Sequence, residues 1–263
     1  MVLGAGNVAT HISRHLHFAG HHITCIWSRS RARAQKLADE FGSAGTADPG
    51  KVPSGADFYL VAVPDRAIPD VTGKYRGSGG IWIHTAGAVS MDVLEKDFEE
   101  FGVFYPLQTL SADQMVSLED TPFLVEGSGP QVTRQISALA SSISETVIEM
   151  DSSSRLVIHM AAVFANNFSN HMVTIAERIL KENKGDLELL APILRETFSK
   201  MVRMGPENAQ TGPALRNDQV TIQKHLELLK AYPEWEKLYT FVSRDIGRIR
   251  QSTIDPESGN DQF

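Results

Sequence analysis

Residues 1–12 read MVLGAGNVATHI, with Gly4 and Gly6 two apart and Ala9 three further on. A nucleotide-binding strand–turn–helix needs one glycine for the tight turn after the strand. It needs a second where the backbone approaches a pyrophosphate, and a small residue where the helix packs on the strand. Gly4 and Gly6 meet the first two demands, and alanine is accepted at the third. Val8, Ile12 and Leu16 recur at helical spacing, so the helix that follows would aim its amino end at the phosphates. The motif carries weight only in the right context, and here a helix and then a strand at 23–27 follow it. The strand before it is short, against five or six residues in an ordinary strand. A shortened start, with a few residues missing ahead of Met1, is the simplest account.

Outward from this motif, short apolar runs alternate with amphipathic segments. Strands are expected at 2–3, 23–27, 58–63, 81–85, 102–105, 123–126 and 146–149, and helices at 8–18, 32–41 and 132–144. The strands are mostly unbroken apolar runs, as expected when helices cover both faces of a sheet. Strand, helix and strand in repetition predict an α/β, doubly wound parallel sheet over residues 1–150. After Met150 no strand signal remains, and residues 151–263 read as an all-α domain. Asp151 or Ser152 should cap a helical run to about Asn183, whose middle is apolar on most faces and therefore should be buried. Helical stretches follow at 186–204, where Pro192 starts or kinks a helix, then at 219–231 and 233–250. The last twelve residues read as a polar tail.

Composition bounds the function. The chain has 263 residues, 42% hydrophobic and 22% charged, which is enough to bury a real core. A net charge of −7 argues against a nucleic-acid binder. No charged segment followed by a long apolar run marks a secretory signal, and no run has the roughly 18 apolar residues of a membrane helix. With Cys25 as its lone cysteine, the chain can form no internal disulfide. These features predict a soluble, cytoplasmic protein without nucleic-acid or membrane partners.

Three strand ends bear on the ligand. After the second strand, IWSRSRARAQK places Ser28, Arg29 and Ser30 where an NAD-binding protein usually has an acid, with Arg31 and Arg33 close by. Two hydroxyls and guanidinium forks suit a 2′-phosphate, so NADP is favoured over NAD. Val63-Pro64-Asp65 and His84-Thr85-Ala86-Gly87 end two further strands and should face the same crevice. The expected cofactor residues are therefore Gly4, Gly6, Asn7, Val8, Ser28, Arg29, Ser30, Val63, Pro64 and His84. His84 reads more readily as a support for loop geometry than as an acid.

With GAGNVA, SRS, VAVPD and HTAG in order, the first half resembles the 6-phosphogluconate and β-hydroxyacid dehydrogenase superfamily of Rossmann domains. FYPLQTLS (104–111), AAVFANNF (161–168) and TGPALRNDQVTIQKHL (211–226) narrow this to Rossmann-like proteins that carry the C-terminal domain of unknown function 2520. The resemblance spans nearly the whole chain and implies a nucleotide-binding oxidoreductase with a helical second domain. It departs at one place. Dehydrogenases of the β-hydroxyacid type carry a lysine on the long interdomain helix, and this helix has none before Lys181, offering His159, Asn166, Asn167 and Asn170 instead.

Hydride transfer needs a proton donor for the developing alkoxide, and histidine is the easiest near neutral pH. His159, Asn167 and Arg216 are the expected catalytic residues. His159, Asn166 and Asn170 share a helical face by spacing, with Asn167 beside them; core hydrogen bonds compete with a substrate-facing role. Arg216 can grip an anion bidentately or pair with Asp218, which can itself cap the helix from Gln219. Gln108 is a weaker candidate. His11 and His15 stand four apart, yet no further ligand accompanies them; a solvated histidine face is expected and no metal. The resulting expectation is an NADP-dependent oxidoreductase acting on a small polar, anionic molecule and dimerising through its helical domain. A non-catalytic NADP-binding sensor or scaffold is the alternative.

Overall fold

The computed structural model describes residues 1–111 and 114–254, with side chains as far as Arg248. Eight strands form one sheet in the order β3-β2-β1-β4-β5-β6-β7-β8. They are β1 (Val2–Leu3), β2 (Cys25–Trp27), β3 (Ala44–Thr46), β4 (Phe58–Val61), β5 (Ile81–His84), β6 (Phe101–Pro106), β7 (Phe123–Gly127) and β8 (Val147–Glu149). Every pairing is parallel except β6 with β7. The exception has a plain cause: parallel neighbours need a crossover, normally helical, and the segment between β6 and β7 supplies no helix among its described residues. Helices α1 (Asn7–Phe18), α2 (Arg31–Asp39), α3 (Ile68–Thr72) and α4 (Pro130–Ser141) accompany the sheet.

The sheet has a core on each face. Ile12, Leu16, Leu37, Ile136 and Leu139 pack with Val2, Leu60 and Ile83 on one side. Leu3, Trp27, Tyr59, Ile68 and Trp82 gather on the other, where Trp82 is stacked between Tyr59 and Phe98 at 4.3 and 4.1 Å. Burial on both faces explains why the strands read as unbroken apolar runs. The strand that sequence patterning misses is β3, whose Ala-Gly-Thr carries no apolar signal. Gly45 is required there because a Cβ would lie 2.4 Å from the backbone of Gln35 on α2.

The chain divides into two compact units, residues 1–168 and 169–263. The first contains the sheet, α5 (Ser152–Ala162), capped by Asp151 as expected, and a π-helical segment, Val163–Phe168. The second contains α6 (Ser169–Glu182), α7 (Ala191–Met204), α8 (Pro206–Ala209), α9 (Gln219–Leu229) and α10 (Pro233–Ile254). Pro192 sits in the first turn of α7, where its missing N–H costs nothing. Two expectations for the long helical run need correction. It is interrupted by the π segment, and its apolar middle is exposed: Val157, Met160 and Phe164 are 59%, 55% and 63% accessible in one copy of the chain. No helix among the described residues is long and apolar enough to cross a membrane.

Candidate active site

The strand order reverses between β1 and β4, and ligands of such sheets bind beyond the carboxyl ends of the strands at that point. Gly4 turns the chain there with φ +138°, and a Cβ on it would stand 2.1 Å from the carbonyl oxygen of Ala62 at the end of β4. Only glycine allows β1 and β4 to approach so closely. Gly6 behaves differently: a Cβ built on it meets nothing within 4 Å. It is the N-cap of α1 and offers no side-chain cap, and the amides of Asn7, Val8 and Ala9 find no acceptor among the described residues. Donors converging on open space at a helix amino terminus fit a pyrophosphate. Ala9 is fully buried against the sheet, as the third motif position requires.

The expected flanks of this cradle carry definite roles. Asn7 Nδ2 donates to the carbonyl of Leu110 at 3.0 Å, so only its backbone amide faces the cradle. At the end of β2, Ser28 N–H donates to Thr46, while the Ser28 hydroxyl accepts from Ser30 N–H. Ser30 caps α2 by accepting from Arg33 N–H at 3.4 Å. The side chains of Arg29, Arg31 and Arg33 are exposed and make no ion pair among the described residues, leaving three guanidinium groups around a helix amino terminus. Val63 is half-buried and Pro64 exposed, and β4 ends at Val61. His84 is fully buried at the end of β5, and its Nδ1 accepts the amide proton of Ala86 at 3.2 Å. Burial, reinforced by the positive charge of Arg155, lowers its pKa to about 4. Neutral and enclosed, His84 shapes the loop 85–87.

That loop receives a second histidine. A Cβ on Gly87 would stand 2.6 Å from Nδ1 of His159 and 2.8 Å from Cζ of Tyr105, so both rings press on its backbone. Tyr105 OH and His159 Nδ1 lie 3.0 Å apart. Beneath them Arg155, fully buried, bonds the Glu126 carboxylate at 2.6 Å, the Val89 carbonyl at 2.6 Å and the Ser152 hydroxyl at 3.0 Å. Glu126 in turn accepts from the amide and hydroxyl of Ser152. This network fastens α5 to β7 and to the loop after β5, and thereby sets where His159 stands. Sequence reasoning missed Tyr105, Glu126 and Arg155. Arg155 was legible only as an arginine in an otherwise apolar helical face, and Tyr105 carried no signal beyond its place at a strand end.

Of the other candidates, Asn166 and Asn167 are exposed in the π segment. An i→i+5 ladder winds more slowly than an α-helix, so the α-helical spacing that set Asn166 on the face of His159 does not carry through this segment. Gln108 spends its amide locally, on Thr109 N–H and the Thr121 hydroxyl. Arg216 belongs to the second unit, where its side chain is exposed beside Asp218. Asp218 caps α9 by accepting from the amide and hydroxyl of Thr221, which hold its pKa low. The histidines of α1 are a correction. His11 is buried and His15 half-buried rather than solvated, and their Nε2 atoms bond the carbonyls of Ser111 and Val116 at 2.8 Å each. With Asn7 they form a ladder one turn apart that straps the segment after β6 to α1. Among the described residues no group of three or more histidine, cysteine or acidic side chains could hold a metal ion.

Comparison with known proteins agrees with this geometry. Residues 1–83 match the family described as NADP oxidoreductase, coenzyme F420-dependent, and residues 121–246 match the domain of unknown function 2520. No curated protein matches the chain. Among solved structures, a protein of Bacteroides fragilis assigned as an NADP oxidoreductase is 35% identical with a TM-score of 0.89; 94% of this chain and 96% of that one are covered. Protein TM1727 of Thermotoga maritima is 23% identical, with a TM-score of 0.72 and coverage of 96% and 98%. A reductive aminase of Aspergillus terreus, solved with NADPH and ethyl-5-oxohexanoate, shares the fold at 14% identity and a TM-score of 0.67, covering 100% and 95%.

Proposed function

Because the chain belongs to the family of Rossmann-like NADP oxidoreductases that carry the domain of unknown function 2520, we propose that it reduces a small polar, anionic molecule with NADPH, or runs the reverse oxidation. The observation that carries the reading is the set of unpaired amides at the head of α1, opening on free space at Gly6. Bound there, the cofactor would supply the hydride. Gly4, Gly6 and the amides of Asn7 and Val8 hold its pyrophosphate, and Val63 and Pro64 border it. Ser28, Arg29 and Ser30 select the 2′-phosphate. His84 holds the loop 85–87 in shape from below. His159 supplies the proton, Asn167 hydrogen-bonds the substrate, and Arg216 takes its anionic group.

In this reading residues 1–150 bind the dinucleotide, and residues 151–263 bind substrate and form a homodimer. The apolar faces left exposed on α5 and on the helices of the second unit support the dimer. A buried lone cysteine supports a cytoplasmic location.

Thermal-shift titration with NADPH, NADH and a deazaflavin, followed by a panel of carbonyl and imine compounds, tests the proposal. NADPH should stabilise the chain and bind at least about tenfold more tightly than NADH, a difference of about 1.4 kcal/mol. Gly6→Ala should keep the fold, since nothing meets the added methyl group, and weaken NADPH about tenfold or more. Indifference to NADPH at millimolar concentration would refute the reading. A non-catalytic NADP sensor predicts binding with no turnover across the panel.

A further inference from the structure

His159 uses one ring nitrogen on Tyr105 and leaves the other open. Nδ1 is 3.0 Å from the tyrosine hydroxyl, the rings meet edge to face with centroids 5.8 Å apart, and Nε2 is accessible and bonded to nothing among the described residues. The contact joins β6 to α5 across the backbone of Gly87, which leaves no room for a side chain between the rings. We propose that Tyr105 is a positioning residue for proton transfer, holding Nδ1 of His159 so that Nε2–H is the group presented to the substrate. This rests on the reductase reading above.

The chemistry follows from what a hydroxyl can do. It both donates and accepts, so it serves either charge state of the imidazole at one distance. With His159 neutral, Tyr105 O–H donates to Nδ1 and the ring proton sits on Nε2. With His159 protonated, Nδ1–H donates to the Tyr105 oxygen and Nε2–H remains free. The cofactor, when bound, would supply the hydride to the substrate carbon, and the electron pair of the double bond would move to the oxygen or nitrogen. That atom takes the proton from Nε2, which leaves a transient neutral ring with Nδ1–H on the Tyr105 oxygen, distinct from the resting neutral form in which Tyr105 O–H donates to Nδ1. Water then returns a proton to Nε2.

The surroundings keep Tyr105 a hydroxyl. Burial raises its pKa, Asp65 after β4 raises it further, and Arg155 on α5 opposes both. Arg155 is itself neutralised by Glu126 of β7, and the neutral ring of His84 adds no charge.

The test uses the full chain and Tyr105→Phe, which keeps the ring and removes the bond. Nitrogen-15 NMR of the histidine side chains, with His159 identified by its loss in His159→Asn, should show the neutral wild-type ring protonated on Nε2 alone. In Tyr105→Phe it should show a mixture of tautomers. With the best compound of the carbonyl and imine panel, Tyr105→Phe should lower kcat about tenfold and shift its pH profile, while KM and binding of NADPH stay unchanged. In the His159→Asn background the same substitution should cost nothing further. A wild-type ring protonated on Nδ1 overturns the inference even where Tyr105→Phe fails to fold. So does a variant with wild-type kcat and pH profile, or one whose loss lies in KM alone; NADPH binding then still stands for the reductase reading. A wild-type chain that ignores NADPH fails at the earlier titration, before Tyr105 is in question.

Discussion

The two units of this chain are built to different standards of closure. In residues 1–168 both faces of a sheet are sealed, and Trp27, Trp82, Phe104 and Phe123 are among side chains that are almost wholly enclosed. From 169 to 248 not one residue is buried, and Val202, Leu228 and Phe241 are 90%, 76% and 70% accessible. A sheet covered on both faces completes its own core. Helices bury only a stripe each, and among the described residues from 169 to 248 those stripes stay open. The difference teaches that the first unit encloses a core of its own, whereas the proposed dimer would give the second its cover.

The largest effect should come from breaking the proposed dimer. We expect the wild type to sediment as a dimer, and Val202→Asp with Phe241→Asp to weaken it by roughly a hundredfold or more, since each buries an unpaired charge. Circular dichroism should then show loss of helix from the second unit, while NADPH binding by the first survives. A wild type that is monomeric and fully helical would dissolve the contrast.

Within the first unit the most sensitive polar element is the pair of Arg155 with Glu126. Removing one partner strands a charge where no water reaches. Glu126→Ala should therefore cost about 3–5 kcal/mol in urea denaturation. Replacing both by apolar residues of similar volume should restore much of that loss. It should not restore turnover, because α5 would no longer be fastened beneath His159. Equal losses in the single and double variants would show that the network does not act as a unit.

How much was legible follows the same division. The sheet could be read because its strands are apolar on both faces and its turn at Gly4 permits no other residue. β3 could not, since Ala44, Gly45 and Thr46 are chosen for closeness to α2 rather than for hydrophobicity. The cradle was visible in GAGNVA because backbone amides need only glycine spacing. Tyr105 and His159 are 54 residues apart, and nothing local announces a pair made by tertiary packing. The histidines of α1 look like a wet face in sequence, because their acceptors are carbonyls contributed from about a hundred residues away. The apolar middle of the long helix was expected to be buried, because apolar periodicity reads the same whether or not a neighbour covers it, and Val157, Met160 and Phe164 are exposed.

A smaller effect distinguishes the sealed unit by its response to acid. His84 is neutral when folded, with its pKa lowered by burial to about 4 from an ordinary 6.5. Its stabilising contribution is complete above pH 6.5. As pH falls from 6.5 towards 4, the unfolded chain takes a proton that the folded chain refuses, and stability drops by on the order of 2–3 kcal/mol. His15, lowered by burial and by His11, adds a loss of the same sign. Urea midpoints between pH 7 and 4.5 should fall for the wild type. In His84→Asn, which is less stable throughout, the slope should flatten. An unchanged slope would mean that His84 is hydrated and charged.

The smallest effect compares the same local device in both units. Asp151 caps α5 by accepting Ser154 N–H at 2.7 Å, and Asp218 caps α9 by accepting Thr221 N–H at 3.0 Å. Hydrogen bonds from neighbouring serines or from Thr221 lower both carboxyl pKa values, Asp151 to about 2, so both caps are ionised at neutral pH. Either Asp→Ala substitution should lower the melting temperature by about 2 °C. The difference lies in how each loss depends on protein concentration. Asp151 belongs to a unit with its own core, so its loss should be the same in dilute and concentrated samples. Asp218 belongs to the helices assigned to the proposed dimer, so its loss should grow on dilution as the dimer becomes limiting. If both losses ignore concentration, α9 is held from within its own chain, and the unequal closure of the two units is not what governs their stability.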